Sequence, residues 1–570
     1  MKKLFIFCLV LIGLTTRSQT QLFIPDTLVG PAYTLNMHQD SVPFFPLGNK
    51  SKTYAYNAYK YLGPTLIFNK GSHVNITVRN FIGDTTTVHW HGIHLPSKWD
   101  GGPHTPILPG ASWNPAFTVM DHAATYWYHP HTHMKTAEQA IKGAIGLIIV
   151  RDPIEGALNL PRTYGIDDFP LIVQCQQYDA NNQAMHLGMQ DSTLLVNGAR
   201  ANYGYTVYAN CPAQVVRMRL LNASGERAFN FGFTGNKPFK IIASDGGLLN
   251  APLTATRVRL APGERAEILL DLSGMSGQVM HLMSYASELP MGMQGGPTMP
   301  MSGGPPMDSP LNGIDFNVMR IEVVPPTPNP VTSIPAILTS NPVYTPGMAS
   351  VIRTIRFTAD SAMVMDGPFY FNDSAFKMMR VDYEIPLNSI EIWKLVNETM
   401  IAHPFHIHDV QFYLFDRNGS TPPAEELGRK DVVFVPSGDS VMFITKFEDF
   451  ADTLVPFMFH CHILMHEDDG MMGQFVVKPA TTGATELALN HATVKVFPNP
   501  ASDVLTIETD PVDNAGPFQL RIYDVMGKAI HVSTLTQRQI RLNTSGWAKG
   551  LYMLELVQNE NSIHKKIIIE

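Results

Sequence analysis

Histidines placed two residues apart constrain this chain more than any other feature. Its 21 histidines, scattered at random over 570 residues, would form about one His-x-His pair. There are five: His89/His91, His129/His131, His131/His133, His406/His408 and His460/His462. Alternate residues of a β-strand face the same side, so each pair offers two imidazoles to one surface. The pairs gather in two stretches far apart in the sequence, and a fold that uses them together must bring those stretches face to face. Four of the pairs supply eight nitrogen donors without a carboxylate, a set that suits copper far better than magnesium or calcium.

The rest of the chain reads as strands and turns. Pro and Gly number 43 each and charged residues are sparse at 16%, which points to an all-β protein. The length exceeds what one hydrophobic core serves, so several domains are expected. Residues 22–155, 160–325 and 331–478 form three blocks of short strands. They share a phrase of apolar strand, Arg or Asn, then turn, at Val74 to Asn80, Val215 to Asn222 and Ile390 to Asn397. Such recurrence suggests a repeated β-sandwich. Pro325 to Pro330 is a stiff linker and 479–490 a flexible one. A small β module spans 491–570. Met1-Lys2-Lys3 and the apolar run Leu4 to Leu14 read as a signal peptide over residues 1–20, with cleavage near Ser18 to Gln21. No later run is long and apolar enough for a transmembrane segment. The net charge of −8 and the lack of a basic tract argue against nucleic acid as a partner. With Cys8 removed, Cys175 and Cys211 either form a disulfide or remain two buried thiols.

Cys461 has another use. In His460-Cys461-His462-Ile-Leu-Met-His466-Glu-Asp-Asp-Gly-Met471, alternation sends the flanking histidines to one face and Cys461 to the other. Cys461, His466, a distant imidazole and the Met471 thioether complete a blue-copper set, and His403 is the natural second imidazole. One tripeptide then joins two copper sites, with a covalent route for electrons between them.

His89-Trp-His91-Gly, Tyr128-His129-Pro-His131, His403-Pro-Phe-His406-Ile-His408 and His460-Cys461-His462 to Met471 resemble the four copper motifs of multicopper oxidases, a family that includes laccases and bacterial cuprous oxidases. The resemblance covers residues 22–478. It implies three cupredoxin-like Greek-key β-sandwich domains and four copper ions. A type 1 copper would lie at His403, Cys461, His466 and Met471, and a type 2 copper at His89 and His406. A type 3 pair would lie at His91, His129, His131, His408, His460 and His462. Non-catalytic relatives lose these donors, and none is missing here. Dioxygen would be the electron acceptor, and a phenol, an aromatic amine or Cu(I) the donor. Asp100 and Glu467 match the family's proton-relay carboxylates; a turn-forming Asp and a solvated Glu are the plainer readings. His73, His94, His104, His122, His133, His186 and His281 are expected not to bind metal, and of these His94, His104 and His133 lie near enough in sequence to support the donors.

The choice of electron donor rests on weaker signals. Residues 291–307 hold five methionines among glycines and prolines, a composition that neither forms a helix nor packs a core. They bind Cu(I) or form a plain flexible loop. Met363, Met365 and Met400 are further thioethers near the type 1 motif. Thr399 stands where cuprous oxidases are expected to carry Asp, which favours a broad laccase-like activity over a dedicated cuprous oxidase. A copper-storage protein without turnover is the competing class; a two-domain copper nitrite reductase would not need the eight paired histidines. In 491–570, Val496-Phe-Pro-Asn-Pro-Ala-Ser-Asp503, Ile522-Tyr-Asp-Val-Met-Gly-Lys528 and Gly550-Leu-Tyr-Met-Leu-Glu555 resemble the sorting domain of type IX secretion substrates. That implies the secretion machinery as a partner and a secreted or cell-surface location. Trp547 is the module's only Trp, too little for an aromatic carbohydrate platform.

Overall fold

The computed structural model describes residues 18–186, 190–298, 309–361, 367–479, 494–509, 518–524, 528–558 and 561–570. It divides into two compact units, Met1–Pro479 and Ala480–Glu570. The first unit holds three β-sandwiches in sequence and the second a smaller one, as the strand-rich composition requires. In the first sandwich the sheet carrying His89–His91 and Ala124–His129 packs on the sheet carrying Ala32–Val42 and His73–Phe81. Its core includes Leu66, Val78, Trp90, Tyr128 and Ile148. The second sandwich closes over Leu171, Val216, Phe231 and Ile268. The third closes over Ile355, Trp393, Phe405, Phe443 and Phe475.

The repeated phrase marks one structural position. His73–Phe81, Val215–Asn222 and Ile390–Asn397 each pair in parallel with an earlier strand and antiparallel with a later one. Each phrase closes on a buried asparagine. The Asn80, Asn222 and Asn397 amides each donate to two backbone carbonyls, and each side-chain oxygen accepts from the N–H two residues on. Asn is the short side chain able to do both at once, and it pins the turn that follows the strand.

Ser18–Gln21 is a strand paired with Tyr205–Pro212, and Leu22 is buried. A leader ending at residue 20 would therefore take part of a paired strand, whereas a cut before Ser18 leaves the sheet whole. The leader's remaining residues lie outside the described residues. Cys175 and Cys211 are free buried thiols. They lie on strands of the two opposed sheets of the second sandwich. The linker 480–490 lies outside the described residues. No described helix is long and apolar enough to cross a membrane.

Candidate metal centre

Strand register sorts the donors into two sites. In the third sandwich Phe405 pairs with Cys461 and His406 with His460. Residues 403, 405 and 461 therefore face the sandwich interior, while His406 and His460 face the first sandwich. In the first sandwich His89 pairs with His129, and His91 with Trp127, on the face opposite Trp90 and Tyr128. The two imidazole faces meet. His89 stacks on His408 and His91 on His406, each pair with ring centres 3.8 Å apart. Donor atoms then gather as His91, His129 and His462; as His131, His408 and His460; and as His89, His91 and His406. All are buried.

Cys461 forms the second site within the third sandwich. Its Sγ lies 3.5 Å from His403 Nδ1 and 3.6 Å from His466 Nδ1. Met471 is fully buried in the same apolar cluster. The turn after Cys461 is closed by Met471 N–H donating to the His466 carbonyl and Cys461 N–H donating to the Met471 carbonyl. Phe369 packs against both imidazoles, at 4.7 Å from His403 and 4.5 Å from His466. Thr399 Oγ1 lies 2.9 Å from His403 Nε2 and donates to Asn397 Oδ1. The residue that marked a departure from cuprous oxidases thus orients a donor ring.

Both carboxylates sit at the cluster, not in solvent. Asp100 Oδ2 accepts from His408 Nδ1 at 2.7 Å, and its main-chain oxygen from His89 Nδ1 at 2.9 Å. Gly101 holds it there: at φ +83° its missing Cβ would overlap the Val88 carbonyl oxygen. Glu467 bridges His131 Nδ1, at 3.3 Å, and His460 Nδ1, at 3.2 Å. Burial pushes the Glu467 carboxyl well above its ordinary range, and nearby Asp468 adds to this. Burial alone would raise Asp100 too, but His408 and His89 outweigh it and hold the group below the usual carboxylate range. Burial lowers His408 to about 4 and His462 and His466 to about 3. It holds His91, His129, His131, His403, His406 and His460 well below the ordinary value.

Neutral imidazoles with free lone pairs are metal donors. Nε2 of His89, His131, His406 and His462 is buried without a hydrogen-bond partner. Leaving such a group unpaired costs about 1–3 kcal/mol, so the fold keeps these nitrogens for something else. Imidazole, thiolate and thioether together fit copper.

Other predicted residues lie around this frame. His94 packs between Asp409 and Asp449, His104 contacts Gln474, and the His133 ring meets Phe376. Of the methionine-rich stretch, Met291 is exposed but Met293 packs with Ala402 and Phe434, so that part does join a small core. Residues 299–307, with Met299, Met301 and Met307, and Met363 and Met365 lie outside the described residues. Asp431, which touches His91, and Arg265, which holds Asp431, escaped sequence reasoning.

Profiles of the multicopper oxidase family match residues 40–155, 172–291 and 349–481. A multicopper oxidase of Staphylococcus haemolyticus is 33% identical over 454 residues, covering 78% of this chain and 88% of the relative. The chain belongs to the multicopper oxidase family. A laccase-like multicopper oxidase from an Ochrobactrum species, described as active towards lignin model compounds, superimposes with a TM-score of 0.69 at 31% identity. That alignment covers 80% of this chain and all of the other. A cell division protein FtsP of Sodalis glossinidius is 31% identical, over 77% of this chain and 88% of that protein. Membership implies copper as the metal. Residues 495–570 match a secretion system C-terminal sorting domain, so this multicopper oxidase carries its own export signal.

Proposed function

We propose that the chain is an oxidoreductase that takes electrons singly from a small reductant and reduces dioxygen to water. The observation that carries this reading is the setting of His460-Cys461-His462. Cys461 lies within 3.6 Å of two imidazoles inside one sandwich, while both neighbours join the imidazole cluster on the other face. His403, Cys461, His466 and Met471 would hold a type 1 copper and His89 and His406 a type 2 copper. His91, His129 and His462 would hold one type 3 ion, and His131, His408 and His460 the other. Bound copper supplies one-electron transfer at Cys461 and the reduction of dioxygen at the cluster.

The chain supplies the path and the protons. The Cys461 carbonyl accepts from His460 Nδ1 at 3.0 Å, which adds a hydrogen-bonded route to the covalent one. Making two waters from dioxygen consumes four protons. Glu467, which favours its protonated form, and Asp100, bound to His408, stand within reach of cluster imidazoles to pass them. The donor meets the site at His466, which is 6% exposed while His403 is fully buried.

A laccase-like range of phenols, aromatic amines and Cu(I) is the reading we favour, in line with the activity described for the Ochrobactrum relative. A dedicated cuprous oxidase is the second reading, favoured by Met293 docking on Ala402, next to His403. The sorting domain supports delivery to the cell surface or medium. Oxygen uptake by copper-loaded protein, with Cu(I) and a methoxyphenol in parallel, tests both. Uptake with both donors supports the first reading, uptake with Cu(I) alone the second. Full copper loading with no uptake overturns the oxidase.

A further inference from the structure

His91 is turned the opposite way from its neighbours. His89, His129, His131, His406, His408 and His460 each direct Nδ1 to a carbonyl or carboxylate, which leaves Nε2 for the cluster. His91 instead places Nε2 on Asp431 Oδ1 at 3.1 Å and aims Nδ1 at His129 Nε2, 3.3 Å away. Asp431 is the counterpart of Asp100 across the stacked imidazoles. Its main-chain oxygen accepts from His406 Nδ1 at 2.8 Å, as that of Asp100 does from His89. The two differ in one respect: Asp431 carries a guanidinium.

Arg265 comes from the second sandwich, which contributes no copper donor. It grips both Asp431 oxygens, with Nη1 donating to Oδ1 at 2.5 Å and Nη2 to Oδ2 at 2.6 Å. Its other three N–H groups donate to the carbonyls of Thr125, Gly263 and Asp245. All five donors are used, and together they touch all three sandwiches. The space is cut to fit: a Cβ on Gly92 would collide with Asp431 Oδ2 and stand 2.7 Å from Arg265 Nη2. One on Gly263 would stand 2.9 Å from the His462 ring.

We propose that Arg265, acting through Asp431, is a positioning residue that fixes the ring orientation and tautomer of His91. A neutral imidazole has one N–H. A carboxylate accepting at Nε2 puts the hydrogen there and leaves the Nδ1 lone pair facing the cluster. The guanidinium fork allows Asp431 no rotation, which a lysine could not achieve. The second sandwich, without a donor of its own, thereby sets how one donor binds.

The paired variant Arg265→Met/Asp431→Leu tests this, because it removes the carboxylate and its guanidinium together and leaves neither charge buried alone. With no acceptor at His91 Nε2, the imidazole hydrogen moves to Nδ1, which faces His129 Nε2 at 3.3 Å, and points into the cluster. The copper readouts rest on the metal assignment above, but the tautomer can be read without copper. In copper-free protein, ring 15N shifts of labelled histidine, with His91 identified by its loss in His91→Gln, should report Nε2–H in wild type and Nδ1–H in the paired variant. The loaded paired variant should lose cluster copper and turn over about 10–100-fold more slowly, with the blue band of the Cys461 site unchanged. Arg265→Lys should show a weaker form of the same changes. An unchanged His91 tautomer in the paired variant, or a blue band lost along with cluster copper, would overturn the proposal. Wild-type protein that takes up no copper would sink the metal assignment, while the tautomer still decides this one.

Discussion

Cys461, His403, His466 and Met471 all come from the third sandwich and sit in its apolar interior, whereas the eight imidazoles come four from each of two sandwiches. The surroundings differ as much as the origins. Around Cys461 the neighbours are Phe369, Ile463 and Met471, with the Thr399 hydroxyl on His403 and the Ile463 N–H on the thiol as polar supports. Around the cluster stand Asp100, Glu467 and Asp431, each on imidazole nitrogens. A site that only passes electrons needs a dry, stiff pocket, since polar groups there would have to reorganise at each transfer. A site that consumes protons needs carboxylates within hydrogen-bond reach. The comparison therefore predicts that the two sites fail separately.

The largest effect is expected from Cys461→Ser. Oxygen uptake falls to background with every donor and the blue colour disappears, yet the cluster keeps its copper, because no cluster imidazole leans on the thiol. Metal analysis alongside the visible spectrum checks this. Loss of all copper would show that the two sites form one cooperative unit.

Next come the carboxylates. Asp100→Asn and Glu467→Gln keep the shape and remove the proton carrier, so turnover should fall by about 100-fold or more. Anaerobic reduction of the Cys461 site by donor, followed by stopped flow, should stay at the wild-type rate, while reoxidation by dioxygen slows. Slowed reduction instead would place these residues outside proton supply.

Acid should act on the copper-free fold more gently, and with a definite sign. His408 titrates at about 4 and His462 and His466 at about 3 in the fold, against about 6.5 in an unfolded chain. Below pH 6.5 the unfolded state therefore binds more protons, and stability falls as pH drops towards 3. Each such group contributes about 1.4 kcal/mol per pH unit of that window. Melting temperatures of copper-free protein should decline below pH 6.5 as these imidazoles take up protons on unfolding. A rise on acidification would contradict neutral buried imidazoles.

What could be read in advance follows from which signals are local. Strand alternation alone separates Cys461 from His460 and His462, and the register of Phe405 with Cys461 bears that out. The three asparagine-closed strands were visible as a repeated phrase. Arg265 was not, because its partner Asp431 lies 166 residues away and on another sandwich; nothing in the sequence near either residue marks the pair. Thr399 was noticed for what it is not, and only the structure shows its hydroxyl on His403. Cys175 and Cys211 were open for a similar reason, since spacing along the chain does not say which of two sheets a strand joins.

The smallest effect, and the finest test of the contrast, is Met471→Leu. In the proposed type 1 site the Met471 thioether would be a weak donor, and leucine of similar volume fills its place in a buried pocket at little cost in packing. Losing it leaves the thiolate and two imidazoles to hold the metal, so copper content should not change, while the potential of the Cys461 site rises. Resistant phenols should then be oxidised a few-fold faster. The onward step to the cluster should slow slightly, since its driving force shrinks as the first potential climbs. Redox titration of the blue band, with oxygen uptake on a graded series of phenols, reads both shifts. A change in cluster spectra would break the comparison, because Met471 lies in the apolar interior with Cys461, in the site that one sandwich builds alone.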